Sequence, residues 1–247
     1  MMQRDVHSRP RDLLNSLQFK DGDFGKIALI SGQGQRARMC LENLENPIKN
    51  FTFLGYTFWT GLYKNEKITV GNGGFYSPDS AFVTELLCEA GVQTLIRLGS
   101  AGALREDIGI GDFIVVDKVL RGDGVTRYYV NDDFSPFVDE KLTQKLINIF
   151  KNVGNVHRGG VWTTDALFKE TKEIVNPYIE KGAIAVDMVT SAFVTMANLY
   201  KRQAAVILTV SDNLITLSKI SFALSSQLIP DTIITPFFLN PSLKTRI

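Results

Sequence analysis

The segment Ala204-Ala205-Val206-Ile207-Leu208-Thr209-Val210 constrains this chain more than any other stretch. It has no helical spacing of polar residues, and Gln203 and Ser211 bound it. Such a run reads as a strand buried on both faces, which requires a sheet with cover on each side. Lys26–Ser31, Lys67–Gly71 and Gln93–Leu98 repeat the pattern in shorter form. Strands are also predicted at Phe51–Tyr63, Asp112–Val119, Val156–Thr163 and Ala183–Val186. Between them lie amphipathic stretches: a helix after Gly34 to about Leu44, Ser77 to Ala90, Asp139–Lys151, Lys169–Lys181, Met188–Tyr200, and Ser211 to about Leu228. Ser77-Pro78-Asp79 has the cap and the early proline of a helix start. The alternation predicts one α/β domain over residues 1–247, with a mixed, largely parallel sheet and helices on both faces. Residues 1–25 read as a polar arm, loose or docked on another subunit, and 230–247 as an irregular tail.

Composition narrows the function. The chain has 247 residues, 45% of them hydrophobic, enough for a full core without staples. Twenty-seven basic side chains balance 26 acidic ones, a net charge of +1. That balance excludes nucleic acid or an anionic membrane as a partner, yet a single phosphate needs only a few local donors. No apolar run reaches the roughly 18 residues of a membrane helix. Cys40 and Cys88 have no metal-site or disulfide spacing and read as buried small hydrophobes, so the expected compartment is the cytoplasm, with no metal bound.

Ligands gather beyond the carboxyl ends of strands in such sheets. This singles out the turns Gly32–Arg36, Arg97–Gly102, Thr163–Phe168 and Ser211–Asn213. Arg97 on a buried strand is costly without a partner, and Gly99, Ser100 and Gly102 follow it. The group reads as an anion cradle, or as an arginine paired with an internal carboxylate. Gly32 and Arg36 open a helix, where an anion is welcome, though an ordinary strand-to-helix turn has the same look. Asp212, at the end of the most apolar strand, is a candidate proton donor or a helix cap. Asp187, beside Met188, is a candidate pocket residue or a cap. His7 and His157 have no nucleophile beside them and read as non-catalytic.

Taken in order, these segments resemble the hexameric-type nucleoside phosphorylases, which include purine nucleoside, uridine and methylthioadenosine phosphorylases. The markers are Leu95–Ala103, Gly109-Ile110-Gly111-Asp112, Arg121-Gly122-Asp123-Gly124, Ala183–Met188 with Ser191-Ala192, and Thr209–Asn213. The similarity runs from about Lys26 to about Leu217. It implies a single α/β domain around a partly barrel-like sheet, in a dimer-based homo-oligomer of up to six subunits. It implies a pentosyltransferase that splits a nucleoside with inorganic phosphate as co-substrate, without a cofactor. Gly32, Arg36, Arg97 and Ser100 would hold phosphate. Asp187, Met188, Ser211 and Phe168 would bind the nucleoside, with Met188 under the sugar and Phe168 flanking the base. Asp212 would protonate a departing purine. Thr171-Lys172-Glu173 lacks the uracil-reading pair of uridine-type members, although Arg121–Gly124 looks like that branch.

The pattern also departs from the family. Val189 stands where a sugar-binding glutamate belongs, and Gln33 follows Gly32 in place of an aspartate. Phe75-Tyr76 brings bulk beside Gly74. No arginine lies near Phe51–Gly61, where a neighbouring subunit normally offers one to phosphate, and the arm shows no placed histidine. The last helix stops at Pro230. These departures leave open an impaired, ligand-binding or oligomer-partner paralogue.

Overall fold

The computed structural model describes residues 8–219. His7 and the tail 230–247 lie outside them. Ten strands form one sheet: β1 (Ile27–Ser31), β2 (Glu45–Phe53), β3 (Tyr56–Tyr63), β4 (Glu66–Asn72), β5 (Thr94–Ala103), β6 (Phe113–Leu120), β7 (Val156–Thr163), β8 (Ala183–Asp187), β9 (Gln203–Asn213) and β10 (Ser218–Lys219). The helices are α1 (Pro10–Ser16), α2 (Gly34–Leu41), α3 (Ser77–Glu89), α4 (Glu140–Phe150), α5 (Lys172–Glu180) and α6 (Thr190–Leu199). The strand order is β10-β9-β6-β7-β8-β5-β1-β4-β3-β2, and β9 also pairs with β5. That extra pairing closes β5, β9, β6, β7 and β8 into a five-stranded mixed barrel, with β1, β4, β3 and β2 extending from β5. The expected α/β domain with a partly barrel-like sheet is the one observed.

The apolar runs form strands because both of their faces are covered. Ala204–Val210 is buried at every position, as are β1 and β8. One core layer joins Leu14, Val83, Leu87 and Phe193 to the sheet, under α1, α3 and α6. The other joins Leu29, Ile96, Ile207 and Phe150, under α2 and α4. Helix α4 is capped by Asp139, whose carboxylate accepts from Leu142 N at 2.9 Å. Helix α3 is capped differently from expectation. Asp79 reaches back to accept from Phe75 N and Tyr76 N, while Ser77 Oγ donates to the Met188 carbonyl at 3.0 Å. Gly74 (φ +78°) makes this turn possible, since a Cβ there would lie 2.2 Å from the Asp79 Cβ.

Three expectations are corrected. The described part of the arm packs on its own chain: Leu14 is fully buried, and Arg11 donates to the Glu89 carboxylate (2.9 Å) and carbonyl (2.6 Å). Strand β5 does not stop at Gly99 but runs to Ala103, because β8 and β9 pair with its glycine-rich end. No helix begins at Ser211. β9 continues to Asn213, whose side chain donates to the carbonyls of Arg105 and Ile108 and accepts from Ile215 N and Thr216 N, forming a turn into β10. Among the described residues no helix is long and apolar enough to cross a membrane.

Candidate active site

Residues that follow β1, β4, β7 and β8, and the ends of β5 and β9, enclose a cavity of about 160 Å³. One end is cationic. Arg36 from α2 and Arg97 from β5 are buried, at 4% and 5% exposure, and both line it. Arg36 Nη2 donates to Ser100 Oγ at 3.4 Å. Burial, and then the neighbouring Arg97 charge, pull Arg36 down from the usual arginine value to about 10. Burial also lowers Arg97, against the raising influence of Asp187. Among the described residues Arg36 Nε, Arg97 Nε and Arg97 Nη1 are buried without a hydrogen-bond partner. Two like charges with three unused donors in one cavity form an anion receptor. The N-terminus of α2 opens beside it at Gln33 without a side-chain cap, which favours negative charge. Gly99 is required here: a Cβ would sit 3.3 Å from Arg97 Nε and Nη2 and 2.5 Å from Leu208 Cδ2.

Towards the end of β5, past Ser100, the cavity turns acidic. Ala101 pairs with Val210 and Gly102 with Asp212, so Ser211 is an extra residue and β9 bulges. A bulge re-aims side chains, and both Ser211 and Asp212 line the cavity. Ser211 Oγ donates to Asp212 Oδ1 at 2.6 Å and to the Ala101 carbonyl at 3.3 Å. A further carboxyl, Glu170, lines the same wall from the loop before α5. Burial first, and Asp212 second, push it up to about 7. Glu170 lies beyond the turn Thr163–Phe168 that the sequence singles out. Its signal was a polar residue just beyond the carboxyl end of β7.

Gly32, Arg36, Arg97, Ser100, Asp187, Met188, Ser211 and Asp212 all line this one cavity. Phe168 does not. It is 94% exposed in the turn Leu167–Lys169, and its neighbour Leu167, itself partly exposed, borders the cavity instead. Asp187 lines the wall but its carboxylate is occupied. It accepts from Thr163 Oγ1 (2.9 Å), Thr190 Oγ1 (2.7 Å), Thr190 N (3.1 Å) and Val189 N (3.2 Å), and lies 3.7 Å from Arg97 Nη2. It therefore starts α6 and balances Arg97. Val189 is buried in the core beside it. Phe75 sits at the rim, half exposed, and Tyr76 lies outside the cavity, so neither ring plugs it.

The remaining motifs are scaffold. Arg121 donates to Thr126 Oγ1 and the Asn131 carbonyl, and Asp123 accepts from Thr126 N and Ser191 Oγ, which ties the loop after β6 to α6. Asp112 accepts from Gly109 N and bonds His157 Nε2 at 2.8 Å, outside the cavity. Burial pushes the Cys40 and Cys88 thiols up to about 12, so both are inert. Among the described residues no group of three or more His, Cys, Asp or Glu side chains could hold a metal ion.

Residues 26–222 match the Phosphorylase superfamily. The chain is 33% identical over 201 residues to a purine nucleoside phosphorylase of DeoD type from Clostridium perfringens, covering 80% of this chain and 86% of the relative. The chain belongs to the nucleoside phosphorylase family. Like-named relatives from Caldanaerobacter subterraneus (32% over 201 residues, 80% and 87% covered) and Colwellia psychrerythraea (31% over 207 residues, 81% and 87% covered) are similarly close. In this member of the family the markers Leu95–Ala103 and Thr209–Asn213 form the paired ends of β5 and β9 that join the two ends of the cavity.

Proposed function

We propose that this chain catalyses phosphorolysis of a purine nucleoside, releasing the base and a pentose 1-phosphate. The observation that carries the proposal is the pair of buried arginines with unused N–H donors at one end of a cavity that carries a carboxyl at the other. Inorganic phosphate fits the donors of Arg36 and Arg97, the Ser100 hydroxyl, the turn at Gly32 and the start of α2 that follows it. Its attack at the anomeric carbon breaks the bond to the base, and the cationic sugar at the transition state lies between phosphate and the leaving base. Asp212 stands where the base departs and delivers a proton to its ring nitrogen. Neither metal nor cofactor enters this chemistry. The names of the relatives favour purine over uracil.

Met188 and Val189 make the sugar wall apolar, and Asp187 is taken up internally, so the sugar hydroxyls are held without a charged clamp. That weakens discrimination between ribosides and 2-deoxyribosides relative to a site with a free carboxylate. A dimer-based assembly in the cytoplasm completes the reading. The test is a panel of purine and pyrimidine nucleosides incubated with and without inorganic phosphate, followed by base release. Turnover of purine nucleosides that requires phosphate supports the proposal. Release that ignores phosphate would make the chain a hydrolase, and no release from any nucleoside would leave a binding protein.

A further inference from the structure

The cavity holds two carboxyls where proton delivery to a leaving base needs one. Asp212 accepts from Ser211 Oγ at 2.6 Å. Glu170 is half-buried and has no hydrogen-bond or ion-pair partner among the described residues. The other charged groups of the cavity are Arg36 on α2, Arg97 on β5, and Asp187 at the end of β8, which faces Arg97. Lys169 flanks Glu170 on its own loop. The unused donors of Arg36 and Arg97 in the same cavity mark it as a ligand site independently of the carboxyls.

Resting on the phosphorylase reading above, we propose that Glu170 is the specificity-determining residue for the base, selecting 6-aminopurine over 6-oxopurine nucleosides by deciding which carboxyl of the Glu170–Asp212 pair carries their shared proton. Two adjacent carboxyls hold one proton between them more readily than none or two. The resting proton sits on Glu170, in keeping with its rise to about 7. A 6-aminopurine presents an acceptor, the imidazole ring nitrogen, beside a donor, the exocyclic amine; a 6-oxopurine presents two acceptors. The amine donates to Glu170 and stabilises its carboxylate, so the proton moves to Asp212, which faces the ring nitrogen. The carbonyl of a 6-oxopurine accepts from Glu170 instead, keeps the proton there, and leaves Asp212 ionised and unable to donate.

The step balances. A phosphate oxygen bonds to the anomeric carbon as the bond from that carbon to the base breaks. The bonding electrons go to the base, and the Asp212 proton goes to the ring nitrogen. Phosphate releases a proton to solvent as it becomes an ester, and solvent returns one to the carboxyl pair.

The experiment compares wild-type chain and Glu170→Gln with adenosine and inosine, each with inorganic phosphate, from pH 5.5 to 8.5. A glutamine amide can turn to offer either a donor or an acceptor, so it accepts both bases but stores no proton. For wild type the expected kcat/KM ratio favours adenosine by tenfold or more, and the adenosine rate falls as pH rises through about 7. In Glu170→Gln the ratio drops towards one and that pH limb is lost. A structural role for Glu170 would lower both substrates together. Turnover of both nucleosides with an unchanged ratio in the variant overturns this inference alone. No turnover of any nucleoside by wild type overturns the phosphorylase reading, and this inference with it.

Discussion

Replacing Arg36 by methionine should make the empty protein more stable and less responsive to phosphate. Arg36 is a base whose value in the folded chain falls well below its ordinary one, to about 10. Folding therefore disfavours its charge at every pH below about 10, and the cost is full at neutral pH. A shift of that size is about 3 kcal/mol at the upper end. Methionine has a similar length and no charge. It relieves that cost and sacrifices one long hydrogen bond to Ser100, worth about 1 kcal/mol. A net gain of about 1–2 kcal/mol raises Tm by about 2–8 °C in a chain of this size. Phosphate has the opposite profile. In wild type it neutralises the two guanidinium groups and uses their idle N–H donors, so a concentration of 100 Kd stabilises by about 2.7 kcal/mol. Thermal melts in sodium phosphate and in sodium chloride of equal ionic strength read both effects. The variant should melt higher than wild type in chloride and lose most of the phosphate shift. A variant that melts lower in chloride and keeps the full shift would refute the reasoning.

Asp212→Asn keeps the shape of the acid and removes its proton, so kcat for a purine nucleoside should fall about 10²–10⁴-fold with little change in Tm, measured by base release. Asp187→Asn weakens the counter-charge of Arg97 and the start of α6; a loss of about 2–4 kcal/mol in urea unfolding is expected, partly restored by phosphate. Gly99→Ala crowds the Arg97 guanidinium and should weaken phosphate binding at least tenfold in calorimetry. Glu170 is an acid raised from 4.5 to about 7, mainly by burial. Its contribution to stability is full below pH 4.5, declines as pH climbs to about 7, and is constant beyond. Partial exposure reduces the effect to about 1–2 kcal/mol. Denaturation of Glu170→Gln relative to wild type should show the variant gaining by that amount between pH 5 and 8.

Much of this was legible in the sequence where one residue type in one local pattern has one physical consequence. Ala204–Val210 cannot be solvated on either face, so β9 and the covered sheet follow. Arg97 on an apolar strand needed an anion or a carboxylate, and the structure provides Asp187 for one nitrogen and leaves two others idle. What was hidden depends on pairing between distant segments. The bulge at Ser211 exists only in the register of β9 against β5, and without it Asp212 reads as a helix cap. The saturation of Asp187 is due partly to Thr163, 24 residues earlier in the chain. In the irregular turn after β7 the sequence shows an aromatic and a glutamate but not their directions, so Phe168 was expected inside and Glu170 was overlooked.

The account stands on one anion being held by both guanidinium groups beside the carboxyl pair. A crystal structure of the chain soaked in phosphate, or in sulfate as its stand-in, measures this directly. The account predicts an oxyanion within hydrogen-bond reach of Arg36 Nε, Arg97 Nη1 and Ser100 Oγ, with Glu170 and Asp212 bordering the space left for sugar and base. An oxyanion bound elsewhere, with those nitrogens still without partners, would contradict it.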